Sequence, residues 1–309
     1  MTSNLDIGLP LEVMLRASGM SYSEWRAVSQ DGKPLWGLLY DEIEEEANTV
    51  VFFTRNEVVT RVLVDLVNGG IGHAGEFRVL KQIIGSCTLG TPPYRTALID
   101  ILVRGRRKLE KLLSFEQGVE LYDLAFDRFP EQDRTLRHHF GLWIRDKGRD
   151  APRAYEEYQK ALETEDYRYS SKTEPTELIH TSMAAAVVEN VSAGQQDRST
   201  GLEMVREHLR QASNPRFFNP YTAHVFANLL FKLSQPRGSF SNDASVSIES
   251  VAEALHTIER MLQIIGAEGR RRIEFASDIQ MLTELQANIL AAVDDIDDLK
   301  AHANDLLSA

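Results

Sequence analysis

Gly118, Tyr122, Ala125 and Pro130 stand at offsets 0, 4, 7 and 12, and Ala154, Tyr158, Ala161 and Asp166 repeat those offsets 36 residues later. Ala254, Ile258, Met261 and Gly266 take the same spacing again, with an aliphatic residue in place of the aromatic one. Steps of three and four residues put side chains on one face of an α-helix. A small, large, small order along that face lets a second helix approach closely while the large side chain fills the groove between the two. A turn residue then ends the helix. A chain that carries this unit more than once is directed towards stacked helix pairs, because one pair cannot bury its apolar face alone.

The unit matches the second-helix pattern of a tetratricopeptide repeat. A first helix is visible as His139-Phe140-Gly141 through Ile144, with degenerate counterparts at His180-Thr181-Ser182-Met183-Ala184 and His224-Val225-Phe226-Ala227-Asn228. From about residue 115 onward no convincing strand occurs, and the chain reads as helices of roughly 12 to 20 residues with short breaks. The expected fold is therefore mainly α: tetratricopeptide-like helical repeats over 115–268 and a C-terminal helical segment over 269–309. An irregular helical bundle with the same small-residue packing is the alternative. A solenoid of such pairs presents a concave face that binds peptides or whole proteins. Ile279, Leu282, Leu285, Ile289, Val293 and Ile296 continue at 3–4 spacing, a seam that suits a partner helix in the same or another chain. Asp294, Asp295, Asp297 and Asp298 splay around that helix, without the loop geometry of calcium sites. Residues 167–175 and 235–247 are turn-rich and read as loops.

The first 75 residues read differently. A short helix follows Pro10 and ends at Gly19. Ser21 and Glu24 have the spacing of a capping box for a second helix that carries Tyr22, Trp25 and Val28. Two apolar, strand-like runs follow, residues 35–40 and 49–54, joined by the acidic stretch Asp41 to Glu46. A helix with Val58, Val59, Val62, Leu63, Leu66 and Val67 completes the set. Helix, helix, two-stranded wing, helix is a winged-helix arrangement, expected over 1–75. DNA reading by its second helix is disfavoured. That helix has only Arg26, beside Glu24, and the wing is acidic, so phosphates would be repelled.

Charge breaks between these parts. Residues 1–75 carry −6, residues 76–114 carry +5, and the remainder carries −11 of the total −12. The basic helical linker over 76–114 concentrates its charge in Arg104, Arg106, Arg107, Lys108 and Lys111. These five are the candidate interaction surface, expected as an exposed cationic strip for intersubunit, interdomain or nucleotide-domain contact, with a plain solvated helix face as the alternative.

Other function classes are disfavoured. One cysteine leaves no disulfide scaffold or multi-cysteine zinc module, and no apolar run approaches the ~20 residues of a membrane span. The N-terminus lacks a basic region and a long apolar stretch, so the cytoplasm is the expected compartment. No phosphate-binding G-x-x-x-x-G-K-[ST] element, H-E-x-x-H, G-x-S-x-G or G-x-G-x-x-G motif occurs. Cys87 reads as a small buried residue, and the adjacent His138 and His139 point to different helix faces, at most one of them to the core. The expectation is a chain that is not an enzyme and holds neither cofactor nor metal.

The order winged helix, basic helical linker, tetratricopeptide-like array resembles the C-terminal portion of STAND-type NTPases, signal-transduction ATPases common in prokaryotic antiviral defence. Phe53-Thr54-Arg55-Asn56-Glu57-Val58-Val59 is similar to the aromatic-x-R-H-x-x-I-A element that opens the helix after the wing in that family. Pro10-Leu11, Trp25 and Leu38-Leu39 add to the likeness, as do Tyr122-Ala125-Pro130 and His139-Phe140-Gly141. The resemblance implies that Arg55 and Asn56 are nucleotide-sensing candidates. Asn stands where the family usually has His, so the position donates a hydrogen bond but carries no charge. It further implies that ATP belongs to an NTPase domain in cis or in trans, and that a protein partner or trigger is read by the helical repeats. Oligomers fit the same scheme, and nucleic acid and membrane do not. A winged-helix transcription regulator with a helical partner-binding domain is the alternative.

Overall fold

A computed structural model describes residues 9–30, 39–44, 49–54, 73–87, 92–128, 133–164, 176–212, 220–234, 244–267 and 275–291. The chain divides into two compact units, residues 1–174 and 175–309.

The first unit opens with β1 (Leu9–Pro10), α1 (Leu11–Ser18) and α2 (Tyr22–Ser29). Gly19 ends α1 in the left-handed conformation, φ 70°, which an L side chain resists and glycine takes freely. The capping box of α2 forms as expected. Ser21 Oγ accepts from the Glu24 N–H, and the Glu24 carboxylate accepts from the Ser21 N–H at 2.7 Å. Strands β2 (Leu39–Glu44) and β3 (Thr49–Thr54) run antiparallel, from Leu39 opposite Thr54 to Glu44 opposite Thr49. β1 pairs on the other side of β3, giving the order β1-β3-β2. The ladder departs from the expected 35–40 strand and 41–46 connection, because Asp41, Glu42 and Glu44 lie inside β2. β2 is an edge strand, where charge is tolerated and blunts pairing with other chains. Trp25, nearly buried, meets Phe52 edge-on with ring centroids 5.3 Å apart, holding α2 to the sheet. The helix expected from Asn56 to Val67 lies outside the described residues.

Six helices complete the described part of this unit: α3 (His73–Ser86), α4 (Pro92–Ile99), α5 (Arg106–Leu112), α6 (Phe115–Arg128), α7 (Arg134–Asp146) and α8 (Ala151–Glu163). A π-helical turn, Asp100–Arg104, leads from α4 to α5. The repeated offsets define the packing. Tyr122 and Tyr158 are fully buried beside Ala125 and Ala161, which have no exposed surface. Glycine sits where an aromatic ring of the facing helix packs onto the backbone. A Cβ on Gly118 would overlap the Trp143 ring, and one on Gly141 would overlap the Tyr158 ring. α7 and α8 pack along their length as one helix pair. Asp133 and Asp150 cap these two helices, each accepting a backbone N–H in the first turn.

The second unit contains α9 (Thr176–Ser192), α10 (Arg198–Ala212), α11 (Pro220–Ser234), α12 (Ala244–Ala267) and α13 (Ala276–Ala291). α9 pairs with α10 and α11 with α12, while α11 also packs on α9 and α13. Ala254, Ile258 and Met261 are buried in the expected register. The expected loop 235–247 is shorter than its composition implies, since α12 begins at Ala244, serine being well tolerated in a first helical turn. The Asp294–Asp298 cluster and the Tyr167–Lys172 loop lie outside the described residues. The architecture is thus mainly α-helical, and its helix pairs are consistent with a helical-repeat organisation.

Candidate interaction surface

The basic segment gains its form from the helix that carries it. Arg104, Arg107, Lys108 and Lys111 are three or four residues apart, so they share one face, and all four are exposed. Arg104 pairs with Asp100 one turn earlier, at 2.6 Å. Arg107, Lys108 and Lys111 form no ion pair among the described residues.

Arg106 departs from the expected strip. Its side chain is only 9% exposed and points into the unit, where it pairs with Asp146 of α7 at 2.8 Å and with Glu110. The helical period is the reason, for Arg106 lies on the side of Leu102, Leu109 and Leu113, all buried. Asp146 also pairs with Arg145 at 2.8 Å. Burial works against the Asp146 carboxylate, yet the charge of Arg145 and hydrogen bonds from Arg106 and Arg145 outweigh it and hold its pKa down. Burial is the larger influence at Glu110 and raises its pKa despite Arg106. Lys147 Nζ donates to the Glu110 carbonyl oxygen at 2.7 Å, closing one of the free carbonyls near the end of α5.

These contacts fix α5 from below. Tyr122 Oη donates to the Leu102 carbonyl oxygen at 2.7 Å, tying α6 to the π-helical turn. Arg95 on α4 pairs with the buried Asp133 at 2.7 Å, and Asp133 is also the cap of α7. The four exposed cations, three on α5 and Arg104 in the turn before it, therefore stand on a segment whose position is set by buried, directional interactions. What such a face can do chemically is bind anions.

The other sequence-singled residues are placed as follows. Cys87 is fully buried, and burial pushes its thiol pKa up to about 12, which leaves it unreactive at neutral pH. His138 is buried and His139 half-buried, on different faces of α7. Arg55 and Asn56 lie outside the described residues.

No family model matches the chain, and no curated protein or solved structure matches it significantly. Among the described residues, no helix is long and apolar enough to cross a membrane, and no group of three or more His, Cys, Asp or Glu side chains is arranged to hold a metal ion.

Sequence reasoning missed one unit of the repeat. Gly201, Val205 and His208 of α10 also stand at offsets 0, 4 and 7, and all three are buried. A Cβ on Gly201 would overlap Val191 of α9, so this pair too closes on a glycine. The offsets are present in the sequence, but histidine takes the place of a small or aliphatic residue and hides the match.

Proposed function

We propose that this chain is a non-catalytic protein-interaction and sensor module whose α5 face docks on an acidic protein surface. The observation that carries the reading is the cationic face: Arg107, Lys108 and Lys111 are exposed on α5, Arg104 is exposed at the end of the turn before it, and the buried Arg106 anchors the helix. A solvated face needs no such anchoring, whereas a docking face gains from rigidity because less entropy is lost on binding. In this reading the helical pairs receive a partner or trigger, and residues 1–75 form a winged helix that relays the event to an NTPase domain. The module order and its resemblance to STAND-type NTPases support that relay and a role in antiviral defence. ATP is then bound by the NTPase domain, in cis or in trans, and the chain acts in the cytoplasm.

The test uses the pure chain with a fluorescent polyglutamate peptide and, separately, a DNA duplex, across a salt series. Binding of polyglutamate at low salt, lost in Arg107→Glu/Lys108→Glu, supports the reading. Tighter binding of the duplex, with a steep salt slope, would favour the transcription-regulator alternative. Polyglutamate binding that is absent, or unchanged by the reversal, refutes the docking face. Magnesium-dependent ATP hydrolysis by the pure chain would refute the non-catalytic assignment.

A further inference from the structure

His208 is the anomaly among the repeat units. At the corresponding positions stand Ala125, Ala161 and Met261, and helix packing there favours a small or flexible aliphatic side chain. An imidazole in that slot needs a polar partner, and it finds one across the helix pair. His208 Nδ1 of α10 lies 3.2 Å from His180 Nδ1 of α9, with ring centroids 5.4 Å apart. Departures from an otherwise consistent local rule tend to mark function.

We infer that His180 and His208 form a two-histidine binding site for a divalent transition-metal ion of the zinc class, bridging α9 and α10. Two nitrogens bound to one tetrahedral zinc at about 2.0–2.1 Å each are separated by about 3.3–3.4 Å, close to the separation already present. The same two helices also meet about two turns before His208, where the Val191 side chain of α9 packs onto Gly201 of α10. His180 is half-exposed and gives the ion a path from solvent. Among the described residues no third ligand is arranged beside the pair, so the remaining positions are left to water. Glu177, one turn before His180, and Glu207, beside His208, supply negative charge, both acting on His180 and Glu207 also on His208. Arg210 opposes them in part through its pair with Glu207.

The proton balance is simple. In the free pair one ring donates its Nδ1–H to the other ring's Nδ1. Binding moves that proton, through solvent, to Nε2 of the same ring, and both Nδ1 lone pairs then face the ion. Burial keeps both imidazoles neutral at physiological pH, so the ion displaces no net proton.

The experiment is calorimetric titration of Zn2+ into the chelator-stripped full chain at about pH 7.5, where histidine is neutral. One equivalent should bind to the wild type and weaken about tenfold or more in His180→Gln and in His208→Gln, while His224→Gln and His139→Gln keep it. A second readout needs no variant. In the wild type, the ring resonances that Zn2+ shifts should come from two histidines, one of which exchanges its hydrogen-bonded Nδ1–H for Nε2–H while the other keeps Nε2–H throughout. Absence of Zn2+ binding to the wild type overturns the inference. So does binding that survives both substitutions, or ring shifts at other histidines.

Discussion

Gly118→Ala adds one methyl group where the Trp143 ring of α7 packs on α6. The new Cβ would overlap the Cε2 and Cζ2 atoms of Trp143. Trp143 has no exposed surface, and its Nε1–H donates to the Phe115 carbonyl oxygen at 3.2 Å, so the ring has nowhere to go without losing that bond. Alanine should gain about 1 kcal/mol over glycine in a helix. Overpacking costs about 1–3 kcal/mol, and an overlap with a fixed ring belongs at the upper end. The net expectation is destabilisation of about 2 kcal/mol. Gly85→Ala on α3 of the same unit is the control, because the atom nearest its added Cβ, Leu124 Cδ2, is 3.9 Å away, an ordinary contact, and there only the favourable helix term remains. All three tryptophans, Trp25, Trp36 and Trp143, belong to residues 1–174, so urea unfolding followed by tryptophan fluorescence reports that unit alone. The midpoint should fall for Gly118→Ala, and the loss should shrink when both proteins carry Trp143→Phe. A midpoint that is unchanged or raised would refute the close approach, and with it the reading of the repeated small residues.

Arg106→Ala leaves Asp146 and Glu110 without their shared cation and should cost about 3–5 kcal/mol, whereas Arg107→Glu/Lys108→Glu should leave the same fluorescence midpoint within about 0.5 kcal/mol. His208 is pushed down to about 4 by burial and the charge of His180, against some help from Glu207. Its folded pKa lies below the ordinary 6.5, so the unfolded chain binds the proton first. The stability is full above about pH 6.5 and is lost as pH falls from there towards about 4. Circular-dichroism melts of the second unit should show that decline, flattened in His208→Gln. Cys87 should resist a disulfide reagent in native buffer and react once the chain is unfolded, and fast native labelling would show its burial to be wrong.

Much of the helical part is legible in the sequence because its signal is periodic and its cause local. Gly118, Tyr122, Ala125 and their copies are spaced as two packed helices require, and the burial of both tyrosines follows from that spacing. The capping box at Ser21 is equally local and forms as the residues imply. The acidic stretch misleads for a different reason. Charge between two apolar runs reads as a connection, but a strand's place in a sheet is set by its partner. β3 is rich in valine and phenylalanine, and the ladder that Leu39 and Tyr40 form with it continues through Asp41–Glu44.

The basic segment shows where composition and geometry part. Five cations in eight residues invite treatment as one patch, yet a helix sorts them at about 100° per residue. That rotation groups Arg104, Arg107, Lys108 and Lys111 and sends Arg106 to the opposite side, among Leu102, Leu109 and Leu113. The same period was available in the sequence. What it lacks is the destination, because Asp146 is 40 residues away and only the packing of α7 brings it to the guanidinium. His208 makes the parallel point, its partner His180 being 28 residues distant on the neighbouring helix. In both places a polar residue occupies a position that local rules give to an apolar one, and in both a partner on a neighbouring helix resolves the conflict. Polar residues at core-facing positions of the helix pairs are therefore the most informative departures from the repeat. Each one forecasts a tertiary contact that spacing alone does not name.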